Sequence, residues 1–507
     1  MTDKIILNLS CLFSLLLLLA CKQSPDKIVD VHVIKAGTAK ITGRIRVANH
    51  TKNDDILVNI TVPHPVSGEN VQYQANVDRS GKFSVNIDVE TDISLIVLNT
   101  SLYGSKSLLV KLKSGGLTNI DIAYNSDNGF GNISVVPAGM TRIDMIRGLE
   151  DMDKMIDYSS GKKHEPLYNK STDYFLEYVK STLSERLAIV NSDTSISKGL
   201  REILAKDYRV SLYSTFVFDY EKYMTFNYRN TNGDRSGTPD IQKIDRSYYR
   251  FLRDLYLDDR QYLYCLEFPK VQQAILQNQI LGLPVIGEGD IPSWLAKVKA
   301  ILSDLLGFRD GQYYDMLAAN AYGQQLTKEV RPLSAKQKKN ISDYWKNGEV
   351  AKILLRKNQT VVEIARVKSA PVVNDISSVP RDKVIETITG KYKNKVVLID
   401  FWATWCAPCI EAMQQFRSTK SGFHDKDVVF VYLTNGSSPR ALWEEKIKGI
   451  GNEHYYLKGD QWEYVMSQFE LKYIPSYLIY NRQGKFISKF TGFPGNDKLK
   501  DLIDDLL

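Results

Sequence analysis

Four apolar residues, Val396-Val397-Leu398-Ile399, run into a single carboxylate at Asp400 and then, past an aromatic stretch, into two thiols in Cys406-Ala407-Pro408-Cys409. Short, mostly β-branched runs of this kind fill strands buried on both faces, so the run predicts a strand inside a covered sheet. Asp400 then sits where charge is unwelcome, and its carboxyl should titrate above the ordinary carboxylate range. Beyond the strand, Cys409, Met413 and Phe416 recur at i, i+4 and i+7. That spacing predicts a helix with these residues on its inner face and Cys406 as its cap. Pro408 falls in the first turn, where a missing backbone donor costs little.

The thiolate is the nucleophilic form of cysteine, and the unpaired N–H groups and dipole at a helix N-terminus favour negative charge there. Cys406 is therefore expected to ionise near neutral pH, with Cys409 one turn deeper and protonated. In thiol–disulfide exchange the first sulfur attacks and the second resolves the mixed disulfide. Asp400, beside the pair and reluctant to ionise, is the expected proton acceptor for Cys409. A Cys-x-x-Cys can also be half of a zinc site, but the chain has five cysteines and six scattered histidines, with no second ligand pair. No metal and no cofactor are expected.

Asp400 to Cys409 resembles the thioredoxin family, with Ala407 in place of the usual glycine, and Tyr473-Ile474-Pro475-Ser476-Tyr477 resembles that family's strand opening with a cis-proline. The resemblance implies a thiol–disulfide oxidoreductase whose Pro475, with Ile474, faces the cysteines and offers backbone to substrate. Trp405, Ala407 and Pro408 would shape the rim of that site. For Trp405, packing against the motif and contact with substrate are equally open.

At 507 residues the chain is too long for one compact domain. Its net charge of +7, 66 basic against 59 acidic residues, is spread without long like-sign blocks. Lys336-Gln337-Lys338-Lys339, the densest basic run, reads as a solvated helix face and not as a nucleic-acid patch. At the N-terminus Lys4 precedes an apolar stretch from Leu12 to Leu19, too short to span a bilayer, which reads as a signal-peptide core. It ends in Leu18-Leu19-Ala20-Cys21, which resembles the lipobox of bacterial lipoproteins. The resemblance implies a signal peptide over 1–20, acylation at Cys21 and a polar tether over 21–28, holding the protein on a membrane without crossing it. Cys265, Cys406 and Cys409 would then carry all remaining sulfur chemistry. An exported chain with no cysteine pair left for structural disulfides points to a redox-active protein of the bacterial envelope.

From 29 to 140 the period is that of strands. Ile41–Val47, Ile56–Val62 and Phe83–Val89 alternate apolar with polar residues, with further strands at 95–98, 108–112 and 120–124. Asp78-Arg-Ser-Gly81 reads as a hairpin turn with glycine at positive φ, and a β-sandwich is the expected result. From 141 to 366 the period turns helical: Phe175, Val179, Leu183 and Leu187 follow a Ser171-Thr172 cap, and Leu200, Leu204, Tyr208, Leu212 and Phe216 repeat the pattern. Tyr248, Tyr249, Tyr256, Tyr262 and Tyr264 read as core, as does Cys265. Loops at 229–237 and 282–289 lack the strand-to-helix setting of a phosphate site.

From 367 to 507, strands alternate with helices, predicting a mixed sheet covered on both faces. The expected architecture is thus multidomain: an all-β sandwich, an all-α segment and a C-terminal α/β thioredoxin fold. The 475 − 409 = 66 residues from Cys409 to Pro475 leave room for an extra strand-and-helix pair, similar to the membrane-anchored periplasmic thioredoxin-like proteins of cytochrome c maturation. Where that group often has glutamate and proline, this chain has Ala412 and Gln414, and Glu411 is one position early. The expected function is reduction of disulfides in client proteins, with re-reduction by a membrane electron donor. A rival reading makes the chain a binding lipoprotein, its β and helical parts recognising a partner and the redox domain accessory.

Overall fold

The structure, a computed structural model, describes residues 33–47, 56–104, 106–126, 129–157, 165–231, 237, 239–366 and 370–507. The expected signal segment, the lipidation site Cys21 and the tether lie outside the described residues. Among the described residues no helix is long and apolar enough to cross a membrane.

Eight strands form the N-terminal part: β1 (Ile34–Val47), β2 (Leu57–His64), β3 (Glu69–Asn76), β4 (Lys82–Thr91), β5 (Ile93–Thr100), β6 (Ser107–Lys113), β7 (Leu117–Tyr124) and β8 (Phe130–Val136). They make two four-stranded sheets, ordered β4-β1-β7-β8 and β3-β2-β5-β6. Alternation places Ala39, Ile41 and Ile45 of β1 inward, against Ile60, Leu98 and Val110 of the facing sheet. Asp78–Gly81 is a tight turn, with Asp78 Oδ1 accepting the N–H groups of Ser80 and Lys82 and Gly81 at φ +80°. It is not the expected hairpin, because it carries the chain from β3 in one sheet to β4 in the other. The sequence period reports which way side chains face, not which strand is the partner.

Helices follow: α1 (Arg142–Asp157), α2 (Thr172–Ser192), α3 (Lys198–Leu212), α4 (Tyr220–Thr231), α5 (Phe268–Gln277), α6 (Ile291–Leu306), α7 (Gln312–Thr327), α8 (Ala335–Tyr344) and α9 (Glu349–Arg366). Ser171 caps α2, accepting from Tyr174 N at 3.2 Å, and the expected face of Phe175, Val179, Leu183 and Leu187 is buried. After α3 the period breaks. Tyr213–Val217 form a π-helical turn, whose extra residue brings Val217 inward and leaves Phe216 37% exposed instead of in the core. Of the tyrosine group, Tyr248, Tyr249, Tyr262 and Tyr264 are buried, whereas Tyr256 closes a 3-10 helix at φ +50° and faces solvent. Cys265 is buried against the carbonyls of Ile203 and Gln261, and burial pushes its thiol up.

The sheet β3-β2-β5-β6 is covered on both faces. Leu98, Leu108 and Val110 point into the sandwich, while Leu95 and Leu109 belong to the helical core with Leu200, Leu204 and Val66. The β2–β3 turn is held between β4 and α7: Glu90 of β4 accepts from the N–H groups of Val66 and Ser67, and Asn320 Nδ2 of α7 donates to the carbonyls of Pro65 and Val66. A Cβ at Gly323 would stand 2.2 Å from the Ser67 carbonyl oxygen, so only glycine permits this approach.

The C-terminal part holds β9 (Pro371–Asn374), α10 (Val384–Lys391), β10 (Val396–Phe401), α11 (Ala407–Ser421), β11 (Val428–Asn435), α12 (Arg440–Ile450), β12 (Asn452–Leu457), α13 (Gly459–Gln468), β13 (Ser476–Tyr480), β14 (Phe486–Thr491) and α14 (Asn496–Leu506). The six strands are ordered β14-β13-β10-β11-β12-β9, with β10 central, parallel to β11 and antiparallel to β13. Val397, Ile399 and Phe401 fill one core and Val396 and Leu398 the other, as a doubly covered strand requires.

Candidate active site

β10 ends at Phe401, and Trp402 is fastened by its N–H to the Leu433 carbonyl at 3.0 Å, which fixes the loop leading to the cysteines. Cys406 is the N-cap of α11, its Sγ accepting from Cys409 N at 3.2 Å, with a proline in the first turn. The two sulfurs are joined as a disulfide with Cα atoms 5.3 Å apart. Cys409 is fully buried and Cys406 is 3% exposed. The orphan N–H groups of the first helical turn thus surround the sulfur that would carry charge on reduction.

Asp400 lies on the face of the sheet beneath α11 and is 6% exposed. In register it stands between Tyr432 of β11 and Tyr477 of β13, and Tyr432 is in turn beside His454 of β12. Its Oδ1 has no hydrogen-bond partner among the described residues. A void of about 10 Å³ lies beside it, lined by Leu398, Phe416, Phe430, Tyr432 and Tyr477 among others. Burial pushes the Asp400 carboxyl well above its ordinary range, and Lys420 pulls it partly back. Burial together with the carboxylate likewise raises Tyr432 and Tyr477, and burial lowers His454 to about 4.

The Ile474–Pro475 bond is cis. Pro475 is buried, its carbonyl already accepts from Gly492 N at 2.8 Å, and Ile474 packs against the cluster containing both cysteines. Trp405 is 64% exposed, and its indole N–H donates to Ser437 Oγ at 3.1 Å. Ser437 Oγ donates to Asn435 Oδ1 at 2.7 Å, while buried Ser438 Oγ accepts from Thr404 N at 3.0 Å. The β11–α12 turn therefore grips the loop before Cys406 at two consecutive residues. Pro408 is exposed beside the disulfide, and Ala407 supplies the first residue of α11.

Sequence reasoning missed the serine pair and Lys420. Nothing separates Asn435-Gly436-Ser437-Ser438 from an ordinary polar turn. Lys420 did leave a signal, because Cys409, Met413, Phe416 and Lys420 continue one helical face at i, i+4, i+7 and i+11.

A mixed sheet with a helix-capping dithiol over a buried carboxylate and a cis-proline strand defines a redox domain of the thioredoxin fold. Residues 394–486 match a family model described as thioredoxin-like. The thiol-disulfide oxidoreductase ResA of Bacillus subtilis is 26% identical over 128 residues, covering 24% of this chain and 70% of that protein. The sporulation thiol-disulfide oxidoreductase A of the same organism is 24% identical over 136 residues, covering 25% of this chain and 81% of that one. A putative thiol-disulfide oxidoreductase from Bacteroides vulgatus, known in solution, aligns at 26% identity and a TM-score of 0.21 over 23% of this chain and 77% of its own. The C-terminal domain of this chain is a thioredoxin-like thiol–disulfide oxidoreductase domain.

Proposed function

We propose that the protein reduces disulfides in client proteins outside the cytoplasm, held to a membrane by a lipid on Cys21. The observation that carries this reading is the Cys406–Cys409 pair at the mouth of α11 above the buried Asp400. The Cys406 thiolate attacks a client disulfide, and one client sulfur leaves as thiolate. Cys409 passes its proton to Asp400 and attacks Cys406 Sγ. The second client sulfur departs, taking the proton from Asp400, and the Cys406–Cys409 disulfide remains. Two electrons supplied through a membrane electron donor, with one proton for Cys409, reopen it to the Cys406 thiolate and the Cys409 thiol.

The client lies along the cis-proline strand. Because the Pro475 carbonyl is engaged by Gly492, Ile474 is the residue whose backbone serves the client chain. Trp405, with Ala407 and Pro408, forms the rim. Its exposure and its tethered N–H favour client contact over packing. The relatives' names support a thiol–disulfide exchange activity, and the apolar stretch ending at Cys21 supports export and anchoring. The domain division proposed is a signal over 1–20, a tether over 21–28, a β part to 140, a helical part to 366 and the redox domain beyond.

Insulin reduction by wild type and Cys406→Ser tests the activity. Loss of turnover in the variant is expected, and equal activity would favour the rival binding-protein reading. The reduction potential of the couple tests the direction: a value more reducing than the client disulfides is expected, and an oxidising one would overturn the reductase assignment.

A further inference from the structure

The inner face of α11 ends in a lysine. Lys420 Nζ donates to the Tyr432 hydroxyl and to the Ile450 carbonyl, each at 2.9 Å, and lies 5.0 Å from the centre of the Tyr432 ring. A lysine is seldom drawn beneath a helix without a charge to answer, because leaving water is costly for an ammonium. Tyr432 neighbours Asp400 in the β10–β11 register, both line the small void, and Asp400 Oδ1 has no hydrogen-bond partner among the described residues. The ammonium is thus held on the side chain that neighbours Asp400 across the β10–β11 register.

Among the described residues, the surrounding groups leave Lys420 as the cation acting on Asp400. From its own helix Arg417 repels it, from β11 comes the neutral Tyr432, and from the end of α12 comes a carbonyl. From β12, His454 is held down at about 4 and is uncharged at neutral pH. On the far side of Asp400, Tyr477 of β13 is raised and also neutral.

We propose that Lys420 is a positioning residue for Asp400: its ammonium, fixed on the Tyr432 hydroxyl, favours the carboxylate and keeps Asp400 able to take the Cys409 proton near neutral pH. The inference rests on the reading of Asp400 as that proton's acceptor. The balance of the step is unchanged, since the proton moves from Cys409 to Asp400 and on to the departing client thiolate, while Lys420 keeps its own. Burial and Arg417 push Lys420 down to about 7, so its charge is present below that pH and lost above it. Its influence is therefore confined to the acid and neutral side of the profile.

The test follows the resolving step in full-length protein, by rapid quench of the mixed disulfide with insulin between pH 5.5 and 9.5. Lys420→Gln removes the charge and keeps a donor for Tyr432. The midpoint should rise by about one pH unit, which makes resolution about tenfold slower at pH 6.5, with the curves converging above pH 8. Lys420→Arg should restore most of the rate, and the initial attack should be unchanged in both. In an Asp400→Asn background, Lys420→Gln should add nothing, as expected when one residue acts through the other. A Lys420→Gln profile that coincides with wild type, or a shift that persists in the Asp400→Asn background, would overturn the proposal. If Asp400→Asn itself matches wild type, the underlying proton assignment fails, and that result is distinct from a failure of Lys420.

Discussion

Replacing Asp400 by asparagine should make the redox domain more stable while making it a worse enzyme, and the stability gain should depend on pH in a definite sense. In the unfolded chain the carboxyl titrates near about 3.9. In the fold, burial raises it well above that, with Lys420 opposing. A raised acid binds its proton more tightly in the native state, so native stability falls as pH climbs from the unfolded value to the folded one. Asparagine has no proton to lose, and its curve is flat over this interval. At pH 4 the two proteins should match to within about 0.5 kcal/mol, because a protonated carboxyl and an amide are close in size and polarity. Once the carboxyl has ionised, the wild type holds a buried carboxylate with one oxygen unpartnered among the described residues and aliphatic or aromatic side chains on most sides. Leaving such a group unsatisfied costs about 1–3 kcal/mol, and more when it is charged, so a gain of about 2 kcal/mol is expected. For a unit of this size that is a rise of about 6 °C in Tm. Calorimetry on oxidised full-length protein keeps both thiols out of the titration. A variant equally stabilised at pH 4 and pH 8, or destabilised at pH 8, would refute the argument that burial sets the Asp400 carboxyl.

On the proposed roles, in which Cys406 attacks and Cys409 resolves, Cys409→Ser should trap clients; non-reducing gels of cells expressing the variant should show new mixed disulfides. Ser437→Ala frees the indole N–H of Trp405, and losing one such bond, about 0.5–1.5 kcal/mol, should raise KM for a protein disulfide about two- to tenfold while the rate with a small disulfide stays put. Gly323→Ala would press a methyl onto the Ser67 carbonyl, and overpacking of that kind costs about 1–3 kcal/mol. Calorimetry should register the loss in the sandwich–helix transition, with the potential of the Cys406–Cys409 couple unmoved.

What could be read from the chain, and what could not, follows from which residues carry a repeating signal. Val396–Ile399 and the face of Cys409, Met413 and Phe416 are local patterns that tertiary packing reinforces, so strand, cap and helix stand where the spacing put them. Ser171 and the residues behind it behave alike. β3 was invisible because, at the edge of its sheet, it buries only Ala75 and reads Glu-Asn-Val-Gln-Tyr-Gln-Ala-Asn. That omission made the Asp78–Gly81 turn look like a hairpin to the wrong strand. β9, four residues long, is hidden for the same reason. The π-helical turn that turns Phe216 outward has no composition of its own. The grip of Ser437 and Ser438 on the Trp405 loop depends on two strand ends meeting, which no short-range pattern encodes.

The sheet that is covered on both sides decides where this protein can be cut. A gene fragment ending at residue 140 would hand Leu95, Leu109 and Val66 to water and strip the carbonyls of Pro65 and Val66 of the Asn320 amide, inviting self-association through that bared face. A fragment starting near residue 370 would keep both of its own cores whole.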